Sequence, residues 1–401
     1  HALDETLRRD GGGADPGGPG GVARAVSAPP LTGSPPAAGL RDRSLSFRSR
    51  ALGGQFHFIQ FETARMQEAM LLIRAAGLHR TVSSMGATGG GAHKYAAQWA
   101  DELGIVTERH AEMDCMVAGM QFVLDSVVGE CYTFKPRANT AEEEAARSTS
   151  PAVDEWWWSR RVPRDTICQD GTVYPYLLVS IGTGVSILRV DGPRRHERIS
   201  GSTIGGGTYW GLCRLLTDVG SFDGALALAE RGDPGKVDML VGDIYGKNSR
   251  ALDKLGLPSN VVAASFGKLV AKKNPAAGIK EEDLARALLG MVTNNIGQVA
   301  YLNACICETS RIYFVGNFLR HNKISQQRLA FAINYWSKSR MEALFLEHEG
   351  HFGALGAFLL NQDIPANFMQ DGAPDRVTVG PTDGPRKKRP SVVRRASFFP
   401  T

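Results

Sequence analysis

Apolar residues recur along this chain in two rhythms. Short, nearly unbroken runs such as Leu177–Ile181, Arg311–Val315 and Ala343–Leu346 suit buried strands. Glu281–Ala304 instead repeats its apolar positions at helical spacing, with Leu284, Leu288, Met291, Val292, Ile296 and Val299 on one face. The same spacing predicts helices over Glu62–Ala76, His93–Leu103, Glu112–Val128, Tyr209–Thr217, Phe222–Glu230, Val237–Tyr245 and Ala330–Trp336. Further strands are expected from Gln55 through Phe56, Phe58 and Phe61, at Thr81–Met85 and at Val185–Val190, with a brief extended piece at Gly104–Val106. Several strands run into a glycine turn that opens a helix: Ala87–Ala92, Gly205–Thr208 and Gly316–Arg320. This is the α/β pattern, in which ligands sit at the carboxyl ends of strands.

The stretch Leu177–Thr217 organises the rest. It reads as strand, turn (Gly182-Thr183-Gly184), strand, polar connection, and then Gly205-Gly206-Gly207-Thr208 ahead of a helix. Glycines let a backbone approach an anion closely, and the free N–H groups of a helix start attract negative charge. Two ordinary hairpin turns are the plain alternative. Two glycine turns about 20 residues apart, each with a hydroxyl, favour a phosphate site. The glycine turn at 87–92 divides evenly between close packing and ligand contact. Asn294 and Asn295, inside the longest helix, need partners if they are buried. Gly353-Ala354-Leu355-Gly356-Ala357 predicts a helix with one face of small residues, which lets two helices approach closely.

Composition changes this picture at the two ends. Residues 10–40 are rich in Gly and Pro and nearly free of large apolar side chains, so they are expected to be disordered, with 41–50 a basic, Ser-rich linker. The net charge of +5 conceals a tail in which Arg386, Lys387, Lys388, Arg389, Arg394 and Arg395 supply +6, leaving −1 (5 − 6) for the remainder. A near-neutral body argues against a broad nucleic-acid surface. No apolar run reaches the roughly 18–20 residues that span a bilayer. The six cysteines form no CxxC pair, which argues for reduced thiols and against a cysteine metal site. Residues 137–165 read as an insertion, with the acidic run Glu142–Glu144 and the triplet Trp156-Trp157-Trp158. Taken by its residues alone, Glu112 is best explained as an acid in the first turn of a helix.

Several collinear blocks give the chain a family likeness. ATGGGAHKY, EMDCMVAGMQFVLD, VSIGTGVSILRV with HERISGSTIGGGTYWGLCRLLT, NNIGQ with RIYFVGNFLRHN, and YWSKSRMEALFLEHEGHFGALGAFL together resemble eukaryotic-type (type II) pantothenate kinases over roughly residues 52–361. The resemblance implies an actin-like ATPase (ribonuclease H-like) fold of two related lobes. It also implies ATP and Mg²⁺ as cofactors, pantothenate as substrate, feedback inhibition by acetyl-CoA or another acyl-CoA, a homodimer, and a cytoplasmic place. The basic cluster at 386–389 could act as a nuclear address. No membrane or nucleic-acid partner is implied. Matched by motif, Glu112 is the catalytic base, which overturns the plain reading of that residue. Thr183, Ser186 and Arg198 hold pantothenate or the inhibitory thioester. Gly205, Gly206, Gly207 and Thr208, with Gly316, Asn317 and Arg320, meet the nucleotide. One family branch is a pseudokinase altered at the positions of Glu112 and Arg198, and this chain keeps both.

The likeness departs at the front. The family opens with a β-hairpin whose Asp-Ile-Gly-Gly-Thr-type loop grips the ATP phosphates, and residues 1–55 supply none. Asp10-Gly11-Gly12-Gly13 has no flanking strand. The expected organisation is therefore a disordered segment and linker at 1–54, the remainder of a first lobe at 55–176, a second lobe at 177–362, and a disordered basic tail at 363–401. A kinase whose opening hairpin is missing is the first expectation. The alternative is a catalytically impaired acyl-CoA-binding regulator of the same family. Another sugar or acid kinase of the same superfold is a weaker third. Ser397, after Arg394-Arg395-Ala396, has the setting of a basophilic-kinase site, and its phosphorylation is expected to leave catalysis unchanged.

Overall fold

The computed structural model describes residues 40–49, 52–61, 65–136, 160–164, 173–246, 259–362 and 377–378. They fall into two units, one of residues up to 76 with those beyond 374, the other spanning 77–374. The Trp156–Trp158 triplet, Cys168, Ser397 and the Asp10–Gly13 run lie outside the described residues.

In the first unit, β1 (Leu40–Ser49) and β2 (Gly54–Gln60) pair antiparallel, from Ser49↔Gly54 to Leu40↔Gln60, with an irregularity between Asp42 and Phe47. The stretch 41–50, expected as a linker, is thus a strand for nearly all its length. Its Ser- and Arg-rich composition conceals Phe47, which is buried and stacks on Phe56 and Phe58 at ring distances of 5.1 and 6.1 Å. Pairing with β2 satisfies a backbone that composition alone assigns to solvent. The sequence between the two strands, residues 50–53, carries a single glycine and no acid. Helix α1 (Met66–Ala75) follows.

The second unit opens with β3 (Ser84–Thr88), α2 (Gly89–Lys94), α3 (Ala96–Leu103) and β4 (Val106–His110), with β3 and β4 parallel. The helix expected at 93–103 is two helices broken at Tyr95, and the extended piece at 104–106 continues as β4. Then come α4 (Glu112–Ser126), β5 (Cys131–Lys135) and β6 (Arg160–Pro163). The central run is β7 (Tyr176–Ile181), β8 (Val185–Gly192), β9 (Arg195–Ser202), α5 (Gly206–Leu216) and α6 (Phe222–Arg231). The chain closes with α7 (Glu281–Ile306), β10 (Arg311–Val315), α8 (Lys323–Trp336), β11 (Glu342–Leu346) and α9 (Phe352–Asn361). The helix expected over 237–245 is confined to Val241–Tyr245, because Met239–Leu240 pairs as a short strand with Val262–Ala264. The junction between lobes expected at 176/177 falls inside this unit.

Seven strands form one sheet in the order β9-β8-β7-β10-β11-β5-β6. β7, β10 and β11 are parallel neighbours, and the other pairings are antiparallel. Every residue of β7 is buried, as its unbroken apolar run requires of a central strand. β9 was legible only as a polar connection. It is an edge strand, and Arg195, Glu197 and Arg198 are the kind of charges that protect an edge. On one face, α7 packs against α5, α6 and α8, burying Leu288, Val292, Ile296 and the small residues Ala285, Ala300 and Ala304. Asn294 finds its partner in Arg328, whose Nε donates at 2.8 Å.

Candidate active site

Because β7 and β10 run parallel side by side, their carboxyl ends meet at one edge, and three turns gather there. The 182–184 turn closes on itself, the Gly182 N–H donating to Gly184 O at 2.9 Å. The Gly206 and Gly207 N–H groups at the start of α5 donate to Gly182 O and Thr183 O, each at 2.9 Å, and the Gly205 N–H donates to Thr208 Oγ1 at 3.3 Å. A Cβ on Gly205 would lie 2.8 Å from Gly184 Cα, and one on Gly207 would lie 2.5 Å from Thr183 Cγ2. These glycines are required so that one turn can seat against the other. The expectation of free N–H groups at Gly205–Gly207 is therefore corrected: those donors are engaged by protein. Thr183 stays exposed at the tip.

The third turn, Gly316–Arg320, joins the same edge. Gly316 has φ +114°, and a Cβ there would lie 2.2 Å from Ile181 O. Only glycine fits that backbone at that distance. The Gly316 N–H donates to Glu349 Oε1 at 2.7 Å, and the Gly350 N–H donates to the same oxygen at 2.8 Å. Burial pushes the Glu349 carboxyl up to about 7, against the pull of those two donors, and the neighbouring Glu130 adds to the rise. Phe318 of this turn packs on Tyr209 of α5 at a ring distance of 6.1 Å. Arg320 ends the turn, its N–H donating to Asn317 O at 3.3 Å.

Arg198 is exposed on β9, with Nε 3.4 Å from Ser186 Oγ of β8, and among the described residues it makes no ion pair. A groove of about 390 Å³ runs along residues 198–203 beside it. An unpaired guanidinium bordering an open groove is able to grip a carboxylate or phosphate with paired donors.

Glu112 is the first residue of α4 and is exposed. Across from it lies the junction of β3 and α2, where a Cβ on Gly89 would stand 3.8 Å from Glu112 Oε2. Thr88 Oγ1 ties that junction to His110 O at 3.0 Å, two residues before α4 begins. Two residues past Glu112, Asp114 Oδ1 meets His196 Nε2 of β9 at 3.2 Å. His196 and Arg198 share a face of the strand. Glu112's helical turn is thereby tethered to the strand that carries Arg198. The helix itself is seated by backbone contact, since Cβ atoms on Gly119 and Gly356 would lie 2.1 Å from Phe352 O and 1.7 Å from Cys115 O. The small face expected on α9 is what makes that approach. Among the described residues no three His, Cys, Asp or Glu side chains gather as a metal site.

The molecule so built is a mixed α/β protein in which three glycine turns meet at one sheet edge and the helix of Glu112 is tied to the strand of Arg198. Residues 34–360 match the family model described as Fumble. The chain is 40% identical over 324 residues to pantothenate kinase 2 of Oryza sativa subsp. japonica, across 77% of this chain and 33% of that protein. It is 38% identical over 328 residues to pantothenate kinase 1 of Arabidopsis thaliana, across 79% of each. To the pantothenate kinase of Schizosaccharomyces pombe it is 37% identical over 322 residues, across 79% of this chain and 74% of that one. The chain thus spans about a third of the length of the rice relative. The solved Lmo2764 protein of Listeria monocytogenes aligns at a TM-score of 0.32 and 10% identity, over 79% of this chain and 91% of that one, which is too low to bear on the fold. This chain belongs to the Fumble family.

Sequence reasoning missed Glu349, which entered only within the block YWSKSRMEALFLEHEGHFGALGAFL. It also missed the Asp114–His196 contact. A run of acids directly after a buried strand was the available signal for the first. The second joins residues too distant in sequence for any pattern to pair.

Proposed function

We propose that the chain is a pantothenate kinase, transferring the γ-phosphoryl group of ATP to pantothenate to give 4'-phosphopantothenate, the first step of coenzyme A synthesis, under feedback by acyl-CoA. The observation that carries this reading is the 38% identity running through 79% of both this chain and the Arabidopsis relative. The geometry accords with it. Glu112, solvent-accessible and tethered through Asp114 and His196 to the strand of Arg198, takes the proton from the pantothenate hydroxyl as its oxygen attacks phosphorus. Arg198, with Thr183 and Ser186, holds the substrate's carboxylate end or the inhibitory thioester. Thr208, Gly316, Asn317 and Arg320 border the nucleotide, while Gly205, Gly206 and Gly207 serve it by seating the turns. Mg²⁺, bound with ATP, supplies charge neutralisation on the phosphates. An actin-like fold is supported by the sheet, in which three antiparallel strands continue into parallel β10 and β11. A cytoplasmic homodimer follows from the family resemblance.

A second reading, an acyl-CoA-binding regulator without turnover, is favoured by the engaged Gly206 and Gly207 N–H groups beside an open groove at Arg198. ATP-dependent phosphorylation of pantothenate by the whole chain separates the two. Activity reduced about 10²–10⁴-fold in Glu112→Ala is the result expected of a lost general base. Activity that survives that substitution removes Glu112 from its role. Tight acetyl-CoA binding with no turnover selects the regulator.

A further inference from the structure

We propose that Glu349 is a positioning residue for the nucleotide: its carboxylate holds the Gly316–Asn317 turn shut against the end of β7. The inference rests on the reading that this turn borders the nucleotide. One carboxylate oxygen accepts from both Gly316 and Gly350, at 2.7 and 2.8 Å. On its other side the turn abuts Ile181, so closely that Gly316 admits no side chain. Gly316 is therefore held from two directions, by the backbone of β7 and by Glu349. A Cβ on Gly350, at φ +88°, would stand 3.4 Å from Asn317 Oδ1, so the second tethered glycine borders the very side chain that the family likeness gives to the nucleotide.

The setting of this carboxylate is unusual for a structural acid. Among the described residues no lysine or arginine pairs with it. The charged and titratable groups around it are Glu130, from the loop before β5, Tyr132 on β5, over whose ring Arg161 of β6 lies, and, in its own segment, His348 and Glu347, the latter paired with Arg161. His348 is already engaged, Nδ1 lying 2.6 Å from Glu130 Oε2. The two glycine N–H donors are thus what favours the ionised form, and burial with Glu130 opposes it. A clamp balanced in this way loosens when the carboxylate takes a proton, because a neutral acid is a weaker acceptor for both N–H groups.

Calorimetric titration of ATP with Mg²⁺ into the whole chain tests this. Glu349→Ala, which removes the acceptor, is expected to weaken ATP binding about tenfold at pH 8. Glu349→Gln keeps an acceptor oxygen without a charge to titrate, and is expected to stay within about threefold of the parent at pH 8. Between pH 8 and pH 6 the parent should lose more affinity than Glu349→Gln does; the nucleotide's own titration is common to both proteins. Equal affinities for parent and Glu349→Ala, or parallel pH profiles for parent and Glu349→Gln, overturn the proposal. Glu349→Gln carries the test by itself should Glu349→Ala not fold. A parent that binds ATP but leaves pantothenate unphosphorylated refutes the kinase reading and leaves this inference standing. A parent that does not bind ATP refutes the inference.

Discussion

Glu130 and His348 are both buried, and together they support the segment that ends in Glu349. Besides the side-chain contact of 2.6 Å, Glu130 Oε1 accepts the His348 N–H at 3.1 Å, and the Glu130 carbonyl accepts the Glu347 N–H at 3.0 Å. One side chain therefore fixes both the imidazole and its backbone. Glu130→Ala removes the acceptor of both that imidazole and that N–H in a dry interior. Urea unfolding should show a loss of about 3–5 kcal/mol. Glu130→Gln, which still accepts, should lose distinctly less. At this scale the sequence was a poor guide. The glycines at 205–207 were read as making room for an anion; in the structure the Gly206 and Gly207 N–H groups, and the missing side chains of all three, serve contact with the 182–184 turn. Glycine is demanded by any close approach, and composition does not say whether a phosphate or a carbonyl comes close. Glu112 has the opposite history. Nothing in its own surroundings marks it out, and its candidacy comes from the blocks of sequence that flank it.

The elements were legible where they are regular and buried. β7, β10, β11 and α7 lie close to where apolar spacing put them, because a run buried on both faces leaves a direct trace. β1 and β9 were lost for a common reason: each carries arginines and serines, and its strand character comes from a partner rather than from its own residues. The contact of α4 with α9 was half legible. The small residues of 353–357 announced a close helix approach but not its partner. Gly119 and Gly356 complete it, and Gly86 of β3 extends it, a Cβ there lying 2.1 Å from Ala357 O. Since Glu112 heads α4, this packing sets where the proposed base stands. Gly356→Ala would put a methyl 1.7 Å from Cys115 O, and backbone atoms cannot rotate aside. Thermal unfolding should show a loss of about 3 kcal/mol or more. In the protein that still folds, kcat for pantothenate should fall more than the affinity for ATP, because α4 moves while the β7–β10 edge stays.

At the scale of the whole molecule, the family match runs from 34 to 360 and closes within α9, ahead of the tail that holds +6 of the chain's charge. The matched body is near neutral, so its response to pH is governed by individual desolvated groups rather than by general repulsion. Glu349 is the leading one. Its ordinary value is 4.5 and burial raises it to about 7. A carboxyl whose value is raised on folding binds more protons in the native state than in the unfolded one between those limits. Stability from this group is therefore greatest below about pH 4.5, declines through the interval up to about 7, and stays low above it. The full difference is on the order of 3 kcal/mol. Removing the charge while keeping the acceptor reverses the penalty. Glu349→Gln should be more stable than the parent at pH 8 and nearly equal to it at pH 5, with both denatured in urea under the same salt. An identical difference at the two pH values would mean that the carboxylate is ionised throughout, and that it holds the Gly316 turn without strain. The expected result instead marks Glu349 as a group kept at the expense of global stability, which is the signature of a residue retained for its site.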